Sequence, residues 1–443
     1  MKQLIYMCLL MGLGTVGALV NGPYWAVFIY YHFAVLRPQF LWEWSLPREV
    51  SWSFYVAIAA IVMTALGQGS RSATVPVGSN GLYISWWSRV HVWMLLFSLW
   101  VTLTYFTAYS QETAYPWLIE NLKIFTMFFV GAMVVRTTRR VWLLYIMTAF
   151  TLGYIAYEVN FGYFVNHYRS IWTNGYGGYD NNGAGLMLAM GVPLCLFVWD
   201  GTHKWYRWLA AAMIPFLMHG VILTFSRGAM VSVMAASPFC WLLSRHRKQL
   251  GVAGVLTALF LVPAMAGKEV RARFLTITEH EVDASANSRK ASWMAAWKMA
   301  LDNPITGVGV RNANLFSYQY GADIEGRTIH NQYLQLAADC GFVGLGLYLA
   351  ILSSLGIALY RTRQSLRGRE DEEGRQAQAI ASGVMCSGLV FCIGAIFLSL
   401  DTFELTYLLI LLGAQVAVLV PSPALYKVPV SGIGTPPLGY ETI

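Results

Sequence analysis

Charged side chains are scarce in this sequence. Asp, Glu, Lys and Arg make up 12% of the 443 residues, hydrophobic residues make up 57%, and the mean hydropathy is +0.51. A soluble domain has about twice that charged fraction, so an ordinary soluble protein is excluded. The apolar segments lack the alternation of membrane β-barrel strands, and about 20 apolar residues span a bilayer as a helix. The sequence therefore predicts an all-α polytopic membrane protein. Nearly charge-free runs are Val56–Leu66, Val92–Thr102, Leu209–Thr224, Val252–Met265 and Leu405–Val420.

Cysteine is also sparse, and its spacing excludes further kinds of site. None of the six cysteines forms a Cys-x-x-Cys pair or lies at metal-ligand spacing from a histidine. We expect no structural disulfide and no zinc or iron–sulfur site, because most of these side chains lie in apolar runs as small hydrophobic residues. The cysteines are Cys8, Cys195, Cys240, Cys340, Cys386 and Cys392.

The net charge of +8 is gathered in short clusters beside apolar segments. This is the pattern that the positive-inside rule gives to cytoplasmic loops, and it argues against a nucleic-acid partner. We therefore place the clusters in the cytoplasm. They are Arg136/Arg139/Arg140, Lys204/Arg207, Arg245/Arg247/Lys248 and Arg361/Arg363/Arg367/Arg369.

The apolar segments predict 12 or 13 transmembrane helices. Thirteen spans would put Met1 outside, and twelve would leave both termini inside. The choice between the two counts depends on whether the short segments at 4–20 and 23–37 form two spans. Leu4–Val20 has no small-residue cleavage site, so we expect a retained helix and not a signal peptide. The segments lie at 4–20, 23–37, 52–67, 90–108, 116–135, 141–158, 184–200, 207–225, 228–244, 250–267, 342–360, 377–397 and 402–420.

A hydrophilic stretch at 268–341 interrupts this pattern between the tenth span and the next. If the basic clusters are cytoplasmic and successive spans alternate in direction, this stretch lies on the outer side of the membrane. Residues 159–183 and the break at Ser226-Arg227 lie on the same side. No internal repeat is visible. The predicted parts are an N-terminal bundle at 1–267, an outer helical segment with the active site at 268–341, C-terminal helices at 342–420 and a Pro/Gly-rich disordered tail at 421–443.

The outer segment contains one clear helical pattern. In Ser292–Leu301, Trp293, Trp297 and Leu301 recur at i, i+4 and i+8, which predicts one apolar helical face. Asn303-Pro304 then ends the helix. Such a helix lies either along the outer bilayer surface, where tryptophan is favoured, or on top of the bundle.

His330 is the strongest candidate for a chemical role among the eight histidines. It immediately precedes an amphipathic stretch that leads into a span, beginning with Asn331. A histidine near its unperturbed pKa can accept a proton at neutral pH. Gly341 and Gly344 follow at i, i+3 spacing, which lets helices pack closely.

Two arginines are candidates for anion binding. Arg227 lies between two apolar segments with no polar loop, where an arginine by default pairs with an anionic group. Small neighbours such as Ser226 let a ligand approach the backbone, and a guanidinium suits bidentate phosphate contacts. The alternative is a snorkelling arginine at a tight turn. Arg289 lies just before the Trp-containing helix and could be an ordinary surface charge.

Two further polar pairs are open to more than one interpretation. Asp180 and Asn181 follow a Tyr/Gly-rich loop at the mouth of a helix, where they cap the helix or bind sugar. Glu120 and Lys123 lie at i, i+3 within an apolar segment. A mutual ion pair is the expected explanation for that second pair.

Together these residues resemble the O-antigen ligase/polymerase superfamily of bacterial membrane glycosyltransferases. His330-Asn331, nine residues and Gly341-x-x-Gly344 fit its H-[NSQ]-x9-G-x-x-G pattern without a gap. Ser226-Arg227-Gly228, Arg289 and Asn303–Gly309 also look like the family's elements, in the same order. Arg37–Trp42 is similar to a subgroup of probable O-glycosylation ligases associated with exosortases.

The resemblance implies glycan transfer from undecaprenyl diphosphate to an acceptor hydroxyl at the periplasmic face of the bacterial inner membrane. The acceptor would be lipid A–core, in lipopolysaccharide biosynthesis, and no metal or cofactor would be needed. His330 would be the general base of an inverting displacement, and Arg227 and Arg289 would hold the diphosphate. Ser226, Asn331, Asp180 and Asn181 are candidate substrate contacts, and Gly341 and Gly344 are structural.

Two alternatives to lipid A–core ligation stay open at the level of sequence. The same chemistry could serve a protein acceptor or the next repeat unit of a polymer. A polyprenyl-linked glycan transporter is a different class, in which Arg227, Glu120 and Lys123 would line a substrate path. Transporters often show inverted repeats and symmetric broken helices, which this sequence lacks.

Overall fold

The computed structural model describes residues 2–47, 49–67, 87–166, 170–256 and 284–420. Within these ranges the regular elements are helices, apart from one bridge between Tyr176 and Tyr179. A 3-10 helix lies at Ser317–Tyr320. The α-helices are α1 (Lys2–Asn21), α2 (Tyr24–Leu36), α3 (Pro38–Leu41), α4 (Trp52–Ala65), α5 (Arg89–Phe106), α6 (Gln111–Val134), α7 (Thr138–Asn166), α8 (Ser170–Asn174), α9 (Asn181–Gly201), α10 (Tyr206–Leu223), α11 (Arg227–Leu243), α12 (Arg247–Leu256), α13 (Ala284–Asp302), α14 (Asn312–Phe316), α15 (Gln332–Ser365), α16 (Glu372–Gly394) and α17 (Glu404–Leu419).

Eight of the described helices are long and apolar enough to cross a membrane, namely α1, α5, α6, α7, α9, α10, α15 and α16. Three shorter apolar helices, α4, α11 and α17, accompany them. The prediction of an all-α membrane protein is therefore confirmed. The count of 12 or 13 spans stays a prediction, because most of the predicted span at 250–267, the start of the hydrophilic segment and the tail at 421–443 lie outside the described residues.

Helix α9 lies at the centre of the bundle, packed against α7, α10, α11 and α16. It is apolar on all sides and almost entirely buried. Asp180 caps its N-terminus through the Gly183 N–H at 2.8 Å. At the other end, Asp200 accepts a hydrogen bond from the Arg245 N–H at 2.9 Å. Its 21 residues correspond to about 30 Å, the thickness of a bilayer's hydrocarbon core.

Residues of three basic clusters meet at the Asp200 end of this helix. Lys204 pairs with Glu372 at 2.8 Å, and Arg245 lies 3.5 Å from Glu370. Arg363 donates to the Leu243 carbonyl at 2.7 Å. Residues from three of the four predicted cytoplasmic clusters thus share one end of the bundle, and Asp180 lies at the opposite end.

Residues 284–341 have a small hydrophobic core of their own. Helix α13 contributes Ala295, Ala296 and Met299 to it and packs against α15. Met294, Trp297 and Leu301 stay exposed on the other side of the helix. The predicted helix at Ser292–Leu301 therefore packs on the bundle through its small residues. Contact of its exposed side with the bilayer remains a prediction, as do the four predicted parts of the chain.

Candidate functional site

A cavity of about 770 Å³ opens at the Asp180 end of α9. Its walls come from α2, α4 and α6, the loop before α9, the loop before α15 with Thr328 and His330, and the loop between α16 and α17. Segments far apart in the sequence thus meet at one place. The acidic and basic residues that line it are Arg37, Glu120, Lys123, Asp180, Arg311, His330, Asp401 and Glu404.

His330 is held at the cavity by the start of α15. The Asn331 side chain caps this helix, accepting from the N–H groups of Tyr333 at 3.0 Å and Leu334 at 3.1 Å. His330 directly precedes the cap with a φ of 54°, a left-handed conformation that is uncommon for a residue other than glycine. The preceding carbonyl, of Ile329, accepts from the Ser292 hydroxyl at 3.2 Å, which ties the histidine to α13.

The environment of His330 favours the neutral imidazole. Burial and the nearby Arg289 guanidinium lower the pKa of His330 below its ordinary value of 6.5, and Asp180 opposes this by favouring the charged form. The arginines at 327 and 311 add smaller effects in the same direction as Arg289. A neutral imidazole near neutral pH is the form that can accept a proton.

Asp180 and Asn181 connect the cavity to the turn before Arg227. Asp180 caps α9 and also lines the cavity, so the cap and the sugar-contact interpretations are compatible. Asn181 donates to the Thr224 carbonyl at 2.9 Å. Ser226 is buried and caps α11, accepting from the Ala229 N–H at 3.3 Å. Arg227 is the first residue of α11.

The structure brings the predicted site residues together to different degrees. His330 and Asp180 line the cavity, and Arg289 lies within electrostatic range of His330. Ser226, Asn181 and Asn331 serve as caps or links around it, and none is among the described residues that line it. Arg227 is likewise not among the described residues that line the cavity.

Gly341 forms a break in α15, with φ 69° and ψ 178°. The Phe342 N–H donates to the Pro304 carbonyl at 2.8 Å, and the Gly309 N–H donates to the Asp339 carbonyl at 2.9 Å. The loop after α13 thus docks against the break. Gly344 lies one turn later, facing Trp100 of α5.

Gly341→Ala should destabilise the protein by about 3 kcal/mol or more, since this backbone region is essentially restricted to glycine. A methyl group at this position would also overlap the Ile305 carbonyl oxygen. The measurement is the free energy of unfolding in mixed micelles. Gly346→Ala is the control, because a Cβ there meets nothing within 4 Å and alanine favours a helix. Equal stability of the two variants would contradict the role given to the break.

Sequence reasoning missed the polar network beside His330. Arg311 pairs with Asp401 at 2.9 Å, and its guanidinium lies 4.4 Å from the Trp117 ring centroid. Gln332 donates to the other Asp401 oxygen at 2.9 Å. This ties α15 to the loop between α16 and α17. The signal in the sequence was Asp401 itself, a carboxylate that lies, with Glu404, between two apolar segments.

The predicted ion pair between Glu120 and Lys123 is confirmed, with a separation of 2.7 Å. Both side chains also line the cavity. Arg37 lines it as well, although sequence analysis gave it no role beyond its place in the Arg37–Trp42 resemblance.

Residues 212–349 match a family model described as O-antigen ligase. This segment contains Arg227, Arg289, His330, Gly341 and Gly344. The resemblance to the O-antigen ligase/polymerase superfamily is thus confirmed, on this part of the chain. A comparison with curated proteins gave no match.

Proposed function

We propose that this chain, whose residues 212–349 carry an O-antigen ligase domain, transfers a glycan from undecaprenyl diphosphate to an acceptor hydroxyl. The acceptor we favour is lipid A–core, which makes the reaction a step of lipopolysaccharide biosynthesis. The observation that carries the proposal is the position of His330, a half-buried histidine of the matched segment, in the wall of a large cavity. The carboxylate of Asp180 and the guanidinium of Arg289 are within electrostatic range of it, and its pKa is lowered.

His330 acts as the general base in this proposal. It takes the proton of the acceptor hydroxyl, whose oxygen attacks the anomeric carbon of the donor sugar. The bond between that carbon and the diphosphate oxygen breaks, and its electron pair leaves with undecaprenyl diphosphate. A single displacement of this kind inverts the anomeric configuration.

The leaving diphosphate requires positive charge where negative charge develops. Arg289, within electrostatic range of His330, and Arg227, at the start of α11, would supply it without a metal. Fixed charges and N–H donors in a water-poor site cost little reorganisation during the reaction. The helix start at Arg227 adds the positive end of a helix dipole.

The cavity has the two-part character that a lipid-linked donor requires. Asp180 and Arg311 line it within electrostatic range of His330, and α4 contributes the apolar side chains of Phe54, Ile58 and Ile61. These three α4 side chains are 38–46% exposed. An accessible apolar wall of this kind would give a polyprenyl chain a path from the bilayer into the cavity.

The sidedness follows from the distribution of basic residues. The clusters that meet at the Asp200 end of α9 would lie in the cytoplasm by the positive-inside rule. The cavity at the Asp180 end would then face the periplasm. This agrees with a donor whose glycan has already crossed the inner membrane.

The proposal is tested with purified protein in lipid nanodiscs and an undecaprenyl-diphosphate-linked glycan. Lipid A–core, a protein acceptor and a second donor molecule are supplied in separate reactions. We expect the glycan on lipid A–core, with an anomeric configuration opposite to that of the donor. Transfer only to protein or only to the second donor would reassign the acceptor. Retention of configuration would rule out the single displacement.

A further inference from the structure

Non-glycine residues with left-handed backbone conformations cluster at the cavity. In the described part of the chain they are Arg37, Phe225, Arg311 and His330. All but Phe225 line the cavity, and Phe225 is two residues from Arg227. Such conformations are energetically unfavourable and persist where the surroundings enforce them, often at functional sites. His330 has a role in the proposed reaction and Arg311 is paired with Asp401, which leaves Arg37 to be explained.

Arg37 is fixed in place by the loop before α9. It joins α2 to α3, and Pro38 begins α3. One terminal nitrogen donates to the Gly177 carbonyl, and the other donates to the Tyr179 hydroxyl at 2.8 Å. The guanidinium carbon lies 4.3 Å from the centroid of the Tyr179 ring. A guanidinium has five N–H donors, and these contacts use two of them.

The Tyr/Gly-rich loop is shaped around this side chain. Gly177 has a φ of 62°, and a Cβ at that position would lie 2.7 Å from the Arg37 Cδ. The loop can therefore surround the arginine stem only with glycine there. It then continues directly into Asp180, which lines the same cavity. The loop thus holds the Arg37 guanidinium in the cavity wall near the start of α9.

Arg37 differs from the other cations of the cavity in having no direct ion pair among the described residues, because Glu404, its electrostatic neighbour, accepts a hydrogen bond from Tyr30. Lys123 has Glu120 at 2.7 Å, and Arg311 has Asp401 at 2.9 Å. Among the described residues, no carboxylate oxygen lies within 4.0 Å of the Arg37 guanidinium. An arginine at the membrane by default pairs with an anion, and its planar N–H groups match a phosphate.

We propose that Arg37 binds the diphosphate of the lipid-linked substrate. This inference rests on the proposed function and adds to it a residue from outside residues 212–349. The same diphosphate is present on the donor and on the released polyprenyl diphosphate, so Arg37 would contact both. The Arg37 guanidinium would donate charge-assisted hydrogen bonds to the phosphate oxygens, and its contacts with Tyr179 and Gly177 would orient it.

The experiment measures binding of undecaprenyl diphosphate and of undecaprenol to the full-length protein in nanodiscs. Arg37→Gln should weaken binding of the diphosphate by about tenfold or more, the usual effect of losing hydrogen bonds to a charged group. It should leave undecaprenol binding unchanged. Inorganic pyrophosphate is a third probe, because competition by pyrophosphate separates recognition of the phosphates from recognition of the lipid.

Arg140→Gln is the matched control. Arg140 also combines a hydrogen bond to a carbonyl, that of Val134 at 3.0 Å, with a position over a tyrosine ring, that of Tyr24 at 5.1 Å. It belongs to one of the basic clusters and is not among the described residues that line the cavity. Its replacement should leave binding of the diphosphate unchanged.

The possible outcomes separate this inference from the proposed function. Wild-type protein that does not bind undecaprenyl diphosphate would overturn the proposed donor, and the role of Arg37 with it. Wild-type binding that Arg37→Gln leaves intact would overturn only the role of Arg37. Should that variant fail to fold, phenylglyoxal labelling of the wild type decides. Undecaprenyl diphosphate should slow modification of Arg37 and not of Arg140, and equal rates for Arg37 with and without lipid would refute the inference.

Discussion

His330→Ala should lower the rate of glycan transfer by about 10²–10⁴-fold, the usual contribution of a general base. The side chain lines the cavity in a backbone conformation fixed by the Asn331 cap, so its loss should leave α15 intact. The measurement is the initial rate of transfer in nanodiscs at equal amounts of folded protein. His203→Ala is the control, because His203 is exposed and belongs to a basic cluster, where it lies 3.1 Å from Arg207. A normal rate in His330→Ala would remove the base from the mechanism.

The pH profile of the wild-type enzyme gives a second readout of the same base. A neutral base loses activity as the pH falls through its pKa in the free enzyme. Burial and Arg289 lower the pKa of His330, so the acid limb of kcat/KM should have its midpoint below 6.5. Asp180 raises this pKa, and Asp180→Asn should therefore move the limb to still lower pH. Arg289→Gln should move it to higher pH, and a limb that neither change moves would argue against titration of His330.

The parts of the candidate site that could be predicted from the sequence are residues that lie close together along the chain in a recognisable spacing. His330, its cap Asn331 and the glycines at 341 and 344 lie within fifteen residues of one another, and their spacing alone singles them out. The structural role of Gly341 takes a form that spacing does not reveal. It is a break that receives the loop after α13, because its backbone leaves the helical region.

The polar pairs in the rest of the cavity wall depend on contacts between distant segments. Asp401 meets Arg311 across 90 residues, and Tyr179 meets Arg37 across 142. Composition shows that a lone carboxylate or arginine at the membrane needs a partner, but packing of the helices decides which one. The all-α class, in contrast, follows from hydropathy alone, because backbone groups in lipid must be satisfied within each helix.

Arg227→Lys should lower glycan transfer by about 10²-fold, similar to the removal of one donor from an oxyanion hole. A lysine keeps the charge, but a compact ammonium cannot replace the planar fork that binds two phosphate oxygens at once. Arg227 is the first residue of α11, after the buried cap Ser226, and Asn181 ties the preceding turn to the helix that begins at the cavity. The measurement is the transfer rate, together with binding of undecaprenyl diphosphate.

Arg89→Lys is the control for this substitution. Arg89 is also the first residue of an apolar helix after a serine cap, Ser88, and it has no place in the proposed site. Because both arginines begin a membrane helix in the same way, a snorkelling role would make the two lysine variants equally active. A selective loss in Arg227→Lys, with weaker binding of the diphosphate, is the result that an anion-binding role requires. Near-full activity in both would assign Arg227 to the membrane interface and leave Arg289 and Arg37 as the cations that face the leaving group.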